Sequence, residues 1–332
     1  MTDITSIVIS SRIRIARNFK GFKFPSRISD KDADKISNSV VSVLTKLGNY
    51  KIYSFKSLTS EDLELMFEKH LISKEAKNNK ESGVAIIRGD EKVSVMVNEE
   101  DHLRAQCIMK GFSLQEAYAT INDIDDAISK EMDYAFSDEF GYLTSCVTNV
   151  GTGLRASVML FLPALSISGA IESIISAIKT KGLTIRGEVG EGSKPLGYIY
   201  QVSNAISMGI TEKETISAVE SAVKRIVELE KEERMKLAKD LETRDLCTRA
   251  FGIISCASLL SWQEFMIFAG RVKLGITLSF IKFKDELIID KLIDRVSDAG
   301  IKKMFKKELS DSEVCERRAE YVSEILRNAR VF

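Results

Sequence analysis

The sequence predicts an α+β protein: an antiparallel sheet flanked by helices, followed by a helical C-terminal domain. Three observations carry this. Alternating β-branched runs recur through the first 207 residues, stripes of helical period lie between them, and after Thr211 the strand signals stop. With 332 residues, 44% of them hydrophobic, the chain can bury one large core or two smaller ones.

In chain order, Ser10-Ser11-Arg12-Ile13-Arg14 is a β-prone run that turns residues 12 and 14 to the same side. Gly83 to Asn98 reads as two strands joined at Gly89-Asp90, a hairpin. A helix from Ser113 to Met132 is expected to open on a capping box, Ser113 with Glu116, and to bury Leu114, Ala117, Ile121, Ile124 and Ile128. Strands follow at Ala156 to Leu162 and Gly197 to Val202, separated by a helix with Ile171, Ile174, Ile175 and Ile178 on one face. A capping box at Thr211 and Glu214 starts the second half, where Ile216, Val219, Val223 and Ile226 form a stripe. That stripe runs into the charged stretch Glu228 to Lys239, which reads as one long helix with a solvated face. Further N-caps stand at Ser261 and Ser310. The change of texture near residue 208 divides the chain into a mixed domain, 1–207, and a helical domain, 208–332.

Composition excludes several classes. Lysine plus arginine equals aspartate plus glutamate, so no net field draws the chain to nucleic acid or to an anionic membrane. The longest apolar run, Val158 to Leu165, contains Pro163 and is far short of the roughly 20 residues of a membrane span. The first residues lack the basic start and apolar core of a signal peptide. Five cysteines without a CxxC pair suit a reduced, cytoplasmic protein without structural zinc. Gly151-Thr152-Gly153-Leu154-Arg155-Ala156 fits GxGxxA, but strand formers follow it where a dinucleotide fold needs a helix. There is no Walker motif and no protein-kinase HRD or DFG.

The chemistry-bearing residues are scattered. Arg12, Arg14, Arg104, Arg155 and Arg186 each lie in a β-prone run or beside a glycine-rich bend or an acid cluster. A guanidinium keeps its charge at any working pH and can grip phosphate oxygens with two donors. Singly, each reads as a surface salt-bridge partner; met in one place, they would form a phosphate site. Glycines 187, 190 and 192 would let backbone approach a ligand. Glu99, Glu100 and Asp101 end the hairpin, and Glu191 lies in the glycine-rich loop. Two carboxylates from distant segments could grip a planar cation or take its proton, and acids in a solvated turn are the plain alternative. His102 alone suits a structural hydrogen-bonder, and Cys146 a small buried hydrophobe.

Four segments, SSRIRIARN, VNEEDHLR, CVTNVGTGLRASVMLFLPAL and IRGEVGEG, stand in the order and at about the spacing of the phosphagen kinase superfamily, enzymes that phosphorylate guanidino groups with ATP. The resemblance covers roughly residues 5–207. Within it the chain resembles the bacterial protein-arginine kinase branch (McsB type): it starts almost at SSRIR, without a helical N-terminal domain, and continues into a helical C-terminal one. VKLGI at residues 272–276 is also similar to that branch. The resemblance implies a phosphagen kinase catalytic domain with a glutamine-synthetase-like sheet, transferring the ATP γ-phosphoryl group to arginine side chains of proteins.

By the same resemblance, Arg12, Arg14, Arg104, Arg155 and Arg186 bind the ATP phosphates. Ser10, Ser11, Ile13, Ala156, Ser157, Val158, Met159, Gly187, Glu188, Val189 and Gly190 form the surrounding nucleotide pocket, with His70 beside it. Glu100 corresponds to the catalytic carboxylate, Glu191 to its partner across the substrate, lying also in the nucleotide loop, and Cys146 to the cysteine that places the guanidinium. Magnesium is expected on nucleotide oxygens and water, with no protein cage. The implied partners are proteins with exposed arginines, an activator protein, a chaperone-protease and a heat-shock repressor; a homodimer is also expected. Val147 stands where the family has proline, and Val314-Cys315-Glu316-Arg317-Arg318-Ala319 where it has RDxxRA, which puts phosphoarginine allostery in doubt. Two alternatives are a non-catalytic adaptor for arginine-bearing partners and a kinase of a small guanidino compound.

Overall fold

The computed structural model describes residues 4–78, 83–187, 195–305, 309–327 and 330–331. The strands are β1 (Val8–Arg17), β2 (Tyr50–Ser54), β3 (Val84–Arg88), β4 (Val93–Val97), β5 (Leu103–Lys110), β6 (Phe136–Ser137), β7 (Gly141–Tyr142), β8 (Leu154–Phe161), β9 (Leu183–Gly187) and β10 (Ile199–Asn204). Between them run α1 (Asp30–Leu47), α2 (Ser60–Glu68), α3 (Lys74–Asn78), α4 (Leu114–Ser129), α5 (Pro163–Ile167) and α6 (Ile171–Lys179). The second half holds α7 (Glu212–Leu237), α8 (Leu241–Cys256), α9 (Trp262–Thr277), α10 (Ile288–Ile293), α11 (Asp298–Phe305) and α12 (Asp311–Leu326). A small ribbon, β11 (Ile281–Lys282) with β12 (Arg330–Val331), joins them, strands that no sequence signal announced.

Eight strands form one antiparallel sheet in the order β2-β3-β4-β5-β1-β8-β10-β9. Its two faces follow from period-two alternation. Ile13 pairs with Cys107 and Ala156, and Val202 with Val158 and Ile185, so these residues share one face. The stripes of α1, α4, α6 and α7 cover that face and make the larger core. Among the described residues, the opposite face is covered only at its ends. Ala85, Ile87 and Met96 pack with Leu63 and Met66 of α2, and Phe161 and Ile199 pack with the helices from α8 onward. An open trough remains between.

Three local expectations change. Ser113 makes no side-chain cap; its amide instead donates to Ser11 Oγ at 2.9 Å, while that hydroxyl donates to Gly111 O at 2.8 Å. The boxes at Thr211, Ser261 and Ser310 do form. The strand expected from Gly197 starts at Ile199, because Gly197 turns the chain at φ +60° with a methyl-sized gap filled by the Met266 carbonyl, 2.6 Å from where a Cβ would sit. The charged stretch of α7 is not uniformly wet. Glu230 and Arg234 are fully buried, paired at 2.7 Å across one helical turn. Glu230 accepts from the amides of Ala164 and Leu165 at the start of α5, and Arg234 donates to Ser6 Oγ and Phe161 O. A run that looks like exposed i,i+4 pairing is thus a tie between α7, α5 and the end of β8.

Candidate active site

The trough floor is a row of cations. In register, Arg12 lies opposite Ser157, and Arg14 opposite both Arg155 and Gln106. Ala16 faces Arg104, and Arg186 faces Gln201, itself paired with Met159. Arg12, Arg14, Arg104, Arg155 and Arg186 therefore share the face opposite the α1–α4–α6–α7 layer, between its two helix-covered ends, spread over β5, β1, β8 and β9. Arg12, Arg14, Arg155, Ser157 and Gln201 line one hollow. Arg12 donates to Gln106 Oε1, and Arg155 to Ser203 Oγ at 3.0 Å.

This packing works against itself. Arg12 has its pKa pushed down to about 9, first by burial and then by the charges of Arg104 and Arg155. Arg14 is pressed well below its ordinary value, again by burial first and then by Arg104 and Arg12. Arginine keeps its proton regardless, so the pressure registers buried guanidinium groups crowded with like charge, which a bound polyanion would stabilise. The Nε–H groups of Arg12 and Arg104 are buried with no hydrogen-bond partner among the described residues. Unsatisfied buried donors and crowded cations on one floor fit a chain of phosphates.

Alternation also sorts the other expected residues. Ser10, Ser157 and Met159 face the trough with the arginines. Ser11, Ile13, Ala156 and Val158 turn the other way, into the helical layer, where all four are buried. They shape the strands and leave the trough to their neighbours. His70 has a left-handed backbone, φ +57°, and its carbonyl accepts from Gln106 Nε2 at 2.6 Å. The residue is exposed, while lost solvation and then the charge of Arg12 lower its pKa. Gly187 ends β9; Glu188, Val189, Gly190 and Glu191 lie outside the described residues.

The acid cluster divides by role. Glu99 is buried, accepts from Ser73 Oγ and holds Arg104 Nη1 at 2.6 Å, so it aims an arginine. Asp101 is also buried, accepting from Asn18 Nδ2 at 2.6 Å and from the Ser145 amide at 2.7 Å. His102 is enclosed between the Phe19 amide, which donates to Nδ1, and the Lys23 carbonyl at 2.9 Å from Nε2. Neither buried acid is available to a substrate, and neither lies in a solvated turn, the plain alternative for these acids. Glu100 alone is exposed. Its pKa is raised, mainly by partial burial and then by Asp101. The Asp101–Ser145 bond sets the segment carrying Cys146 against the Glu100 turn, with Cys146 Sγ 3.0 Å from Thr148 Oγ1.

A family model for the ATP:guanido phosphotransferase C-terminal catalytic domain matches residues 33–233, and one for the protein-arginine kinase McsB C-terminal domain matches residues 240–331. The chain belongs to the ATP:guanido phosphotransferase family. The protein-arginine kinase of Caldanaerobacter subterraneus subsp. tengcongensis is 41% identical over 329 residues, 96% of each chain. That of Clostridium tetani is 40% identical over 330 residues, covering 98% of this chain and 97% of its own. Among solved structures, lombricine kinase superposes with a TM-score of 0.62 at 24% identity, covering 70% of this chain and 68% of that one. The duplicated taurocyamine kinase from Schistosoma mansoni, with bound transition state analog components, gives 0.63 at 25% identity, over 75% and 38%. The family fold is thus the one described above, a helix-backed antiparallel sheet.

Sequence reasoning passed over Gln106, Gln201 and Ser203, which complete the trough floor. The alternation that joined Arg12 to Arg14 applies equally to Arg104 and Gln106, so the signal was present.

Proposed function

We propose that this chain is a protein-arginine kinase: it moves the γ-phosphoryl group of ATP to arginine side chains of proteins. The observation that carries the reading is five arginines on one open sheet face with Glu100 exposed beside them. Nearly full-length similarity to protein-arginine kinases supports the acceptor. In this reading Arg12, Arg14, Arg104, Arg155 and Arg186 hold the triphosphate, with Ser10, Ser157, Met159 and His70 around the nucleotide and Gly187 to Glu191 completing the nucleotide site. Phosphoryl transfer asks alignment and charge neutralisation of the protein, and the arginines supply both. A magnesium ion bound with the nucleotide would supply further charge neutralisation.

The acceptor guanidinium is protonated, with a pKa above about 12, and becomes a nucleophile only by losing a proton. Glu100 accepts that proton, Glu191 steadies the guanidinium from the other side, and Cys146 orients it. The intact carboxylate and arginine set favours an enzyme over an adaptor. Partner proteins would include an activator, a chaperone-protease and a heat-shock repressor, with a homodimer as the assembled form and the cytoplasm as the compartment. No described helix is long and apolar enough to cross a membrane.

Incubation with ATP and either an arginine-bearing protein or free arginine tests this directly. Acid-labile phosphate on the protein is the expected result; phosphate on free arginine alone would make this a small-guanidine kinase, and none on either would leave an adaptor. Arg186→Ala is expected to lose about 2–4 kcal/mol of transition-state stabilisation, as for other lost charge-stabilising donors, read as kcat/KM for phosphotransfer. Binding of a non-hydrolysable ATP analogue should raise the melting temperature of the wild-type chain. Arg12→Ala should shrink that rise at equal ligand concentration, and an undiminished rise would remove Arg12 from the site.

A further inference from the structure

Beside the Cys146 segment lies a groove of about 540 Å³ that the phosphate and guanidinium sites do not use. One wall is the β6–β7 ribbon, where Phe136 and Phe140 are 56% and 45% exposed; the other is the segment after β10, where Met208 is 46% exposed beside Ile210. Glu139, Glu212 and Glu214 also line it, and no lysine or arginine does. Glu212 is engaged by Tyr118 Oη and Arg17, and Glu214 by the cap at Thr211. The Glu139 carboxylate makes no ion pair or hydrogen bond among the described residues. The floor is bare backbone: Gly151, at φ +113°, would put a Cβ 2.1 Å from the Ser207 carbonyl oxygen.

The groove is tied to the reaction centre. Ser207 Oγ lies 2.8 Å from the carbonyl oxygens of both Thr148 and Val150, which share its one hydroxyl hydrogen, and so holds the Cys146 segment from the groove side. Ser145 holds the same segment from the Glu100 side through Asp101. The volume is in the range of about 300–1,000 Å³ typical of binding sites. Large exposed apolar side chains with only negative charge among them ask for a ligand that is both apolar and cationic.

We infer that this groove docks an extended polypeptide segment carrying basic and large apolar side chains, the stretch that flanks the acceptor arginine in a protein substrate. The inference rests on the kinase reading above and deepens it. A flanking segment held here would deliver its arginine along the Cys146 segment toward Glu100, and acceptor choice would follow the flanks as well as the guanidinium. The groove itself would also reject acidic flanks.

Fluorescence anisotropy tests this on the full chain without ATP, using a short dye-labelled peptide of alternating lysine and leucine and a second with glutamate for lysine. The basic peptide should bind and the acidic one should bind at least about tenfold more weakly. Glu139→Lys and Phe140→Ser should each weaken the basic peptide by about tenfold, with Glu139→Gln intermediate and every variant melting as the wild type does. Equal binding of both peptides, no binding, or variants with undiminished affinity would overturn the docking surface. Phosphotransfer by the wild type to an arginine-bearing protein is followed in parallel. Transfer without peptide binding sinks the groove alone; peptide binding without transfer sinks the kinase reading and leaves the groove as a peptide site.

Discussion

Glu100→Gln is expected to reduce kcat by roughly 10²–10⁴-fold, the usual worth of a positioned general base, while ATP affinity stays nearly unchanged. The substitution keeps shape and hydrogen-bonding capacity but removes the proton acceptor. It should act on kcat because Glu100 is the exposed acid of its cluster, and the arginine row is aimed independently by Glu99, Ser73 and Gln106. The pH profile gives a second check. Partial burial and Asp101 raise the Glu100 pKa, so the ionised base is lost sooner on acidification than for an ordinary carboxylate. In kcat/KM the wild-type rate should fall as pH drops through that raised value, and the Gln variant should lose this limb. Unaltered turnover in the variant would remove Glu100 from the chemistry.

The second large effect concerns stability. Arg234→Ala should cost about 3–5 kcal/mol, the range for breaking a buried ion pair by removing one partner. Arg234 answers Glu230, Ser6 and the Phe161 carbonyl at once, and its loss strands a buried carboxylate under α5. Burial already raises the Glu230 pKa, with Arg234 the first influence opposing it. Removing that opposition raises the folded-state pKa further above the unfolded one. The variant's deficit is therefore smallest in acid, where the carboxyl is protonated in both states, and grows as pH rises through the raised value. Urea unfolding at acidic and neutral pH measures both the size and the slope. A double replacement, Glu230→Met with Arg234→Leu, should recover much of the loss, since it leaves no stranded charge. A single variant as stable as the wild type at neutral pH would show that the tie is not structural.

These two residues mark where reading the chain works and where it stops. Glu100 lies in NEED, and its neighbours are equally acidic; composition offers no reason to separate them. The fold does so by burying Glu99 against Arg104 and Asp101 against Asn18 and Ser145. His102 resolves similarly, as a hydrogen-bonder between two backbone groups. Glu230 and Arg234, four apart on a charged helix, look like a solvated pair, and only the approach of α5 and β8 makes them a core element. The Ser113 cap fails for the same kind of reason. Ser11, a hundred residues earlier, supplies a hydroxyl to the Ser113 amide, and a local propensity gives way to a tertiary partner.

What this sequence determined alone is whatever depends on spacing: the first strand around Arg12, the hairpin from Gly83 to Asn98 and the strands near 156–162 and 199–202, the apolar stripes of α4, α6 and α7, three capping boxes, and the pairing of Arg12 with Arg14 on one side. Alternation of two and repetition of 3.6 are properties of the backbone, so they show in the order of residues. The tertiary structure decided which strands are neighbours, and hence that arginines from β5, β1, β8 and β9 share one uncovered face. It also decided which charges lie in water and which are enclosed. Strand order and burial arise from contacts between segments far apart in the chain, where local periodicity carries no information.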